Sequence, residues 1–215
     1  MRAQGDRLDA GSFTILKAGQ RVGREQFSLR KAPSLEGAAF ELRAESSIDE
    51  RRTAVQLSTD SAGTPIKYAV EIRDGTSVTV RLGGQRVRGR FATQVRRARG
   101  EGAREYLLAP GTLVVESDFF HQLCFVIRGR TLAVGESMTL PAISPLENAQ
   151  REIRLTLESL EDSVTIAGIR RPARRWRLEE KGGVLRTVWG DPQGRILRVL
   201  ISTLFLEAVR DDIPR

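Results

Sequence analysis

Long stretches of this chain alternate between apolar and polar residues with a period of two, the pattern of β-strands that have one buried face. In TPIKYAVEIRDG, the side chains of Ile66, Tyr68, Val70 and Ile72 fall on one face and charged residues fall on the other. The same alternation recurs in SVTVRLGG, FELRAESS and REIRLTLESL. The DG that follows Arg73 favours a tight hairpin turn. The pattern therefore predicts an antiparallel meander.

The last third of the chain continues this pattern. ARRWRLEEKGGVLRTVWGDPQGRILRVLIS predicts three strands, joined by the glycines at 182 and 183 and by the turn GDPQGR. Trp176 and Leu178 are expected to face inward, and TLFLEAVR is expected to be the last strand. No glycine-rich phosphate loop and no regular alternation of strand and helix occurs, which argues against a nucleotide-binding fold.

The sequence also predicts where the β domain begins and where its strands are interrupted. SMTLPAISPLEN, residues 137–148, contains two prolines and is predicted to be a crossover loop or a rim over a cavity. Residues 1–10 are predicted to be a flexible N-terminus. Residues 11–215 are predicted to form a single antiparallel β domain, because either half alone leaves one face of its sheet uncovered.

One segment, residues 118–128, has the composition of a buried helix. Ser117 or Asp118 is suited to cap its start, and Gly129 is suited to end it. A helix that is apolar nearly all round must be buried, and the concave face of a curved sheet is its natural place. The competing interpretation is a strand over 123–127, because Val, Ile and Phe favour strands.

Together these patterns predict the fold class. We expect a mainly β protein whose strongly curved antiparallel sheet, or open barrel, has about a dozen strands. One apolar helix packs on the concave face of this sheet. The mouths of such barrels commonly enclose one apolar ligand.

The only histidine and the only cysteine, His121 and Cys124, lie in this apolar segment. Two ligands do not complete a tetrahedral zinc site, and free cysteine is among the most buried residue types. We therefore expect both to be core residues, and we predict no catalytic residue, no metal site and no cofactor. A hydrolase that uses His121 or Cys124 is the remaining enzymatic interpretation, although the chain has no GxSxG motif.

The chain carries a formal charge of +8, with 35 basic and 27 acidic residues interspersed. The most basic stretch is 83–107, where Arg86, Arg88 and Arg90 alternate and are predicted to share one strand face. A second group of arginines, between 170 and 177, surrounds Trp176. These clusters give an alternative function, a polyanion-binding or scaffold module. Nucleic acid is an unlikely ligand, because nucleic-acid-binding proteins concentrate their charge on one patch.

The sequence also bears on localisation. No apolar run approaches the length of about 20 residues that spans a bilayer, so no transmembrane segment is expected. The N-terminus has no apolar signal region, which taken literally indicates a cytoplasmic protein. RAQGDRLDAG is also typical of a mature N-terminus after removal of a signal peptide, and in that case the protein is periplasmic or secreted.

Two stretches carry a resemblance to known proteins, GQRVGREQFSLR near the start and TVWGDPQGRILRVLIS near the end. With the long meander between them, the chain resembles bacterial exported β-proteins of unknown function. More loosely, it is similar to the periplasmic lipoprotein-carrier superfamily. That resemblance implies a curved, incomplete β-barrel that holds helices over an apolar concavity.

The leading functional hypothesis is a non-enzymatic cell-envelope protein that binds a lipid or another amphiphile in this concavity. The predicted contacts of the apolar chain are Phe119, Phe120, Leu123 and Val126. The predicted contacts of an anionic headgroup are Arg86, Arg88 and Arg90. A protein partner is left open, and the sequence does not define the oligomeric state.

Overall fold

The computed structural model of the chain describes residues 6–32, 37–117, 119–180 and 183–214. Within these residues the chain forms one mainly antiparallel sheet of fifteen strands. The mainly β fold that the alternation predicts is confirmed, with somewhat more strands than the dozen expected.

The first half of the chain forms eight strands, namely β1 Arg7–Lys17, β2 Gln20–Lys31, β3 Phe40–Ile48, β4 Arg51–Thr59, β5 Pro65–Asp74, β6 Ser77–Val87, β7 Arg90–Arg97 and β8 Gly100–Leu107. The second half forms seven, namely β9 Leu113–Val114, β10 Ser137–Ser144, β11 Ala149–Ile166, β12 Ile169–Glu180, β13 Leu185–Gly190, β14 Ile196–Ile201 and β15 Leu206–Arg210. A 3-10 turn, His121–Leu123, and the single-turn helix α1, Cys124–Ile127, lie between β9 and β10.

The order of strands in the sheet follows the chain in two runs that meet at the termini. From one edge to the other, β8 leads through neighbouring strands to β1, which pairs with β15, and β15 leads back to β9. The seam between the runs is antiparallel, with Phe13 opposite Arg210 and Lys17 opposite Leu206. Among the strands of the described residues, β9 and β10 alone pair in parallel. The sheet is therefore one continuous meander with β8 and β9 at its two edges.

Side chains connect the region of the two edges. Arg97 on β7 donates a hydrogen bond to the carbonyl of Leu146, at 2.8 Å, and Arg104 on β8 donates to the carbonyl of Asn148. The Tyr106 hydroxyl lies 3.4 Å from Oδ1 of Asn148. These contacts reach the turn between β10 and β11 without a backbone ladder. The sheet therefore curls into an open barrel whose strands do not close.

The predicted turns are largely confirmed. Asp74 pairs with Ser77, so β5 and β6 form a tight hairpin at the DG. In the GDPQGR turn, Oδ1 of Asp191 accepts hydrogen bonds from the backbone N–H groups of Gln193 and Arg195, which fixes the connection between β13 and β14. Of the two glycines expected between β12 and β13, residue 182 lies outside the described residues.

The inward-facing residues form one core on the concave side. Ile66, Tyr68, Val70 and Ile72 are all buried, as the alternation predicts, and so is Trp176. Buried side chains of most strands and of the segment between β9 and β10 belong to one continuous apolar cluster. The concave face is therefore filled by the protein itself.

The prediction that 137–148 is a crossover loop or rim is wrong, because most of it forms β10. Pro141 lies within that strand and pairs with Glu152 of β11. The partner on the other side, β9, pairs only with Ala142 and Ile143. Pro141 therefore lies where β10 is itself an edge, a position at which a strand tolerates proline.

The predicted apolar helix is present and buried, but it is shorter than 118–128. It consists of the 3-10 turn and α1, so the alternative of a strand over 123–127 is wrong. Asp118, a candidate cap, lies outside the described residues. Arg128 caps the C-terminus of α1 in an extended conformation, and Gly129 follows it with φ +68°, so the helix ends where the glycine predicts.

The ends of the chain differ from expectation in two places. β1 begins at Arg7, within the segment 1–10 for which the sequence predicts a flexible N-terminus, and residues 1–5 lie outside the described residues. The predicted last strand is divided, because Ser202–Leu204 forms a 3-10 turn before β15. Among the described residues, no helix has the length and apolar character needed to cross a membrane.

Candidate functional site

Residues 119–127, here called the interior segment, lie inside the curled sheet. The segment contacts strands that are far apart in the sheet order. The ring of Phe125 packs on Phe40 of β3 with centroids 6.1 Å apart, and Ile127 lies against Gly190 of β13. Because β3 and β13 belong to opposite runs of the sheet, the interior segment spans the concavity between them.

A buried carboxylate on β2 holds the start of the interior segment. Oε1 of Glu25 accepts a hydrogen bond from the backbone N–H of His121 at 2.9 Å, and Oε2 accepts one from the N–H of Phe120 at 3.1 Å. Nδ1 of His121 lies 2.8 Å from the same Oε1, which makes the ring a third donor. Glu25 is fully buried. This carboxylate therefore satisfies backbone donors that no strand or helix ladder satisfies.

The His121 ring is buried in the core and packs against an aromatic ring. It stacks on Phe27 with centroids 5.1 Å apart, and Phe27 stacks on Phe13 at the same distance. His121 is only 2% exposed, and its Nε2 atom has no hydrogen-bond partner within the part of the chain that the structure describes. The cavity beside it, which Cys124 also lines, has a volume of about 10 Å³. That space is of the order needed for a single water molecule.

A second buried carboxylate, Glu116, anchors the chain just before the interior segment. Its carboxylate accepts hydrogen bonds from the Ser144 hydroxyl, from the Leu146 N–H at 3.0 Å and from the Tyr68 hydroxyl at 3.3 Å. Burial raises the pKa of Glu116 to about 7, against the lowering effect of these donors. Gln122 of the interior segment donates to the Glu116 carbonyl at 2.9 Å. The segment is thus tied to β5 and β10 as well as to β2.

Glycines allow the end of the interior segment to approach the sheet closely. A Cβ atom at Gly190 would overlap the Ile127 side chain, and one at Gly194 would lie 2.7 Å from Cα of Arg128. Both glycines belong to the TVWGDPQGR stretch that carries the sequence resemblance. The GDPQGR turn therefore serves as a docking point for the interior segment as well as a hairpin connection.

The four predicted contacts of an apolar ligand all lie in the interior segment, and their side chains are 0–2% exposed. These residues are Phe119, Phe120, Leu123 and Val126. They pack against the sheet in the same cluster as the strand residues. A ligand that touches them must therefore displace part of the interior segment. Their role as ligand contacts stays a prediction.

The two candidate chemical groups of the segment are sealed from solvent. Burial raises the pKa of the Cys124 thiol to about 12. Because a thiolate is the reactive form, such a thiol is a poor nucleophile at neutral pH. Nδ1 of the His121 ring is engaged by Glu25. No group of three or more metal-binding side chains occurs among the described residues.

The three arginines predicted to meet an anionic headgroup do not share one strand face. β6 ends at Val87, so Arg88 falls in the turn with φ +49°, and Arg90 begins β7. Arg86 bonds to Asp60 at 2.9 Å, whereas Arg90 bonds to Glu105 at 3.1 Å. The alternation in the sequence is interrupted by a hairpin turn, which places the three side chains in different surroundings.

The second arginine cluster is also engaged with acids. Arg175 bonds to Glu158 and to Asp162, at 3.1 and 3.0 Å. Arg177 lies 3.5 Å from Glu158. The predicted orientation of this strand is confirmed, because Trp176 is buried between these two arginines. Two of the five arginines of the cluster are therefore paired with neighbouring carboxylates.

Sequence reasoning missed the two buried carboxylates that anchor the interior segment. Glu25 carried a signal, because in VGREQFSLR it falls in the same phase as Phe27 and Leu29 and so points to the buried face. Glu116 follows the apolar run of β9 and has no periodicity to mark it. Its burial depends on contacts with Tyr68 and Ser144, which are distant in sequence.

Open depressions of ligand size lie on the outer face of β2 to β7. Two of them have volumes of about 750 and 920 Å³. Their floor contains Ala69 and Gly83, and their walls carry polar and charged side chains such as Gln56, Glu71 and Arg81. Polar, solvent-open surfaces of this kind do not suit an apolar chain. An apolar ligand would therefore belong on the inner face.

Comparisons with known proteins support the fold. No protein-family model and no curated protein matches the chain. A solved β-barrel-like protein of the domain of unknown function DUF1849, from Brucella abortus, is similar over 94% of this chain and 94% of its own, with a TM-score of 0.54 and 10% identity. A DUF1089 family protein from Pseudomonas aeruginosa is similar over 84% of this chain and 90% of its own, with a TM-score of 0.48 and 17% identity. The chain thus has a β-barrel-like fold, as the Brucella protein has. The resemblance to the lipoprotein carriers is not confirmed.

Proposed function

We propose that this β-barrel-like protein is a non-enzymatic binding protein that takes the apolar chain of a lipid or another amphiphile into its concavity. The observation that carries the proposal is the way the interior segment fills the sheet. The segment pairs with no strand, and its described polar anchors are Glu25 and Glu116. If it moves aside, it uncovers an apolar surface of the kind that lines lipid-binding barrels.

In this proposal the interior segment closes the concavity, and a ligand takes its place. The segment contains Phe119, Phe120 and Phe125, all buried, so it occupies the space that an acyl chain would take. The hydrogen bonds that join its backbone to the sheet go to the Glu25 side chain, whereas the strands around it are joined by backbone ladders. Displacing it therefore breaks two anchors and leaves the sheet intact.

The test is uptake of a fluorescent long-chain fatty acid by protein that has been purified without detergent. Glu25→Gln weakens the anchor of the segment and is expected to increase uptake at equal concentrations of folded protein. Glu180→Gln is the matched control, because Glu180 is also a buried carboxylate but holds Arg151 and Arg186 instead of the segment. Similar uptake by the two variants would show that the dye reports only general loosening.

Native mass spectrometry with organic extraction gives a second measurement. A lipid bound at one copy per chain, and lost when Leu123→Arg fills the concavity with a charge in a folded variant, is the expected result. A bare protein mass together with no uptake by wild type or Glu25→Gln would overturn the proposal.

The polyanion alternative has less support, because Arg86, Arg90, Arg175 and Arg177 are ion-paired.

We further propose that the protein acts in the bacterial cell envelope, in keeping with the exported proteins that its sequence resembles. The similar fold in a Brucella protein is compatible with a bacterial β-protein but says nothing about compartment. Fractionation of cells that express the native gene tests this localisation. Recovery of the protein only with cytoplasmic markers would contradict it.

A further inference from the structure

The turn between β14 and β15 contains an aromatic residue in an unfavourable backbone conformation. Phe205 follows the 3-10 turn Ser202–Leu204 and has φ +50° and ψ +32°. The other described non-glycine residues with positive φ are Ala18, Asp49, Arg88, Asn148 and Ala167. All of these are small or polar, whereas a bulky aromatic side chain is an outlier in the left-handed region. The backbone at Phe205 therefore lowers the stability of the fold.

The side chain of Phe205 does not compensate for this cost by packing. It is 72% exposed, and the preceding Leu204 is 49% exposed. A glycine or asparagine at this position would relieve the backbone and leave no apolar ring in water. Neither the backbone nor the burial of Phe205 therefore favours folding, and an exposed apolar residue at a strained position is typical of a functional surface.

Cationic side chains lie beside this apolar tip. The Ala18 N–H donates a 2.8 Å hydrogen bond to the Phe205 carbonyl, which places the turn between β1 and β2 next to it. Lys17 pairs with Leu206 across the seam, and both Lys17 and Arg21 are exposed.

The acids near the tip are balanced. Glu207 on β15 is held by Arg198, with 2.6 Å between Oε1 and Nε. The turn between β3 and β4 carries Asp49 and Glu50, followed directly by Arg51 and Arg52. The apolar tip is therefore flanked by a net positive surface, on a chain whose formal charge is +8.

We propose that the β14–β15 turn docks the protein on an anionic bilayer. Phe205 and Leu204 insert among the lipid headgroups, and Lys17 and Arg21 lie against the lipid phosphates. A protruding apolar pair with adjacent cations is the arrangement by which proteins hold to a membrane interface without crossing it. The tip lies outside the concavity, so the inference stands independently of amphiphile binding.

The experiment is co-sedimentation with phosphatidylcholine vesicles, with and without phosphatidylglycerol. Wild type is expected to bind the anionic vesicles more strongly, and Phe205→Gly is expected to lose about tenfold or more of that binding. Phe205→Gly is also expected to have an equal or higher melting temperature, because glycine adopts the left-handed conformation without strain. A loss of binding is then attributable to the missing ring and not to unfolding.

Two further variants define the site. Leu107→Ser removes a side chain that is 70% exposed at the opposite end of the strands and is expected to leave vesicle binding unchanged. Arg21→Glu is expected to reduce binding to anionic vesicles by about fivefold or more and to leave binding to neutral vesicles unchanged.

Three outcomes would overturn the inference. These are an absence of binding to any vesicle, equal binding by wild type and Phe205→Gly, and an equal loss with Leu107→Ser. A change of oligomeric mass in Phe205→Gly without vesicles would instead assign the tip to a contact between copies of the chain. Fatty acid uptake is expected to be unaffected by Phe205→Gly, so failure of this inference is distinguishable from failure of the proposed function.

Discussion

Oε1 of Glu25 lies 2.8 Å from Nδ1 of His121, although the two residues are 96 positions apart in the chain. The same carboxylate also accepts the backbone N–H groups of Phe120 and His121. A buried donor without an acceptor costs about 1–3 kcal/mol. Glu25 therefore compensates three donors at once, and it does so at a position where strand alternation calls for an apolar residue.

Glu25→Ala is expected to lower the free energy of unfolding by about 3–5 kcal/mol, because it leaves these three donors without an acceptor. Urea denaturation followed by far-UV circular dichroism measures the change. Glu45→Ala is the matched control, since Glu45 is exposed on the neighbouring β3 and its loss is expected to cost about 0.5 kcal/mol or less. Equal effects of the two substitutions would contradict the anchoring role of Glu25.

Much of the sheet is predictable from the sequence because the constraint is local. In 66–72 the period of two fixes which side chains are buried, and the DG fixes the hairpin that follows. The same reasoning predicts the wrong faces for Arg86 and Arg90. The alternation of residue types continues through the sequence there, but a turn at Arg88 reverses the chain. A polar turn and a polar strand face are alike in composition, so alternation alone does not separate them.

For the interior segment, the sequence predicts burial but not the residues that hold the segment in place. Its apolar composition predicts burial, and Gly129 predicts its end. Its anchors do not follow from local sequence, because Glu116 bonds to Tyr68 and Ser144, which are 48 and 28 positions away. That the concavity is filled rather than open is likewise a result of long-range packing.

The pKa of Glu116 makes the stability of the protein depend on pH. Burial raises this pKa from 4.5 to about 7, so the folded state holds its proton over a range in which the unfolded chain releases it. Between these two values the free energy of unfolding therefore falls as the pH rises, and it levels off above about pH 7. Over the whole range the loss from this group is about 3 kcal/mol.

Glu116→Gln removes this ionisation while keeping an oxygen that accepts from Leu146 and Tyr68 and an amide N–H that can donate to the Ser144 hydroxyl oxygen. The stability of the variant relative to wild type is therefore expected to be higher at about pH 8 than at about pH 4, by up to about 3 kcal/mol. Parallel urea titrations at the two pH values measure the difference. A constant difference between variant and wild type would show that Glu116 does not titrate in this range.

Cys124 is expected to be nearly inert to thiol reagents in the native protein. Its pKa of about 12, against a reference value of 9.0, lowers the thiolate fraction by about a thousandfold, and its side chain is buried. The absorbance change with Ellman's reagent is expected to be slow in buffer and complete in denaturant. Rapid reaction in buffer would show that the interior segment opens readily, and Glu25→Gln is expected to speed the reaction for the same reason.

Two adjacent glycines in β6 make a matched pair for the packing of the sheet. A Cβ atom at Gly84 would lie 2.6 Å from the ring of Phe91, which is fully buried on the facing β7, whereas one at Gly83 would meet nothing within 4 Å. Gly84→Ala is therefore expected to destabilise the protein by about 1–3 kcal/mol, because the Phe91 ring cannot move without disturbing the core. Gly83→Ala is expected to be neutral or to stabilise by up to about 1 kcal/mol, since alanine restricts the unfolded chain. Urea denaturation of both variants measures the difference, and equal stabilities would contradict the inward orientation of Gly84 toward Phe91.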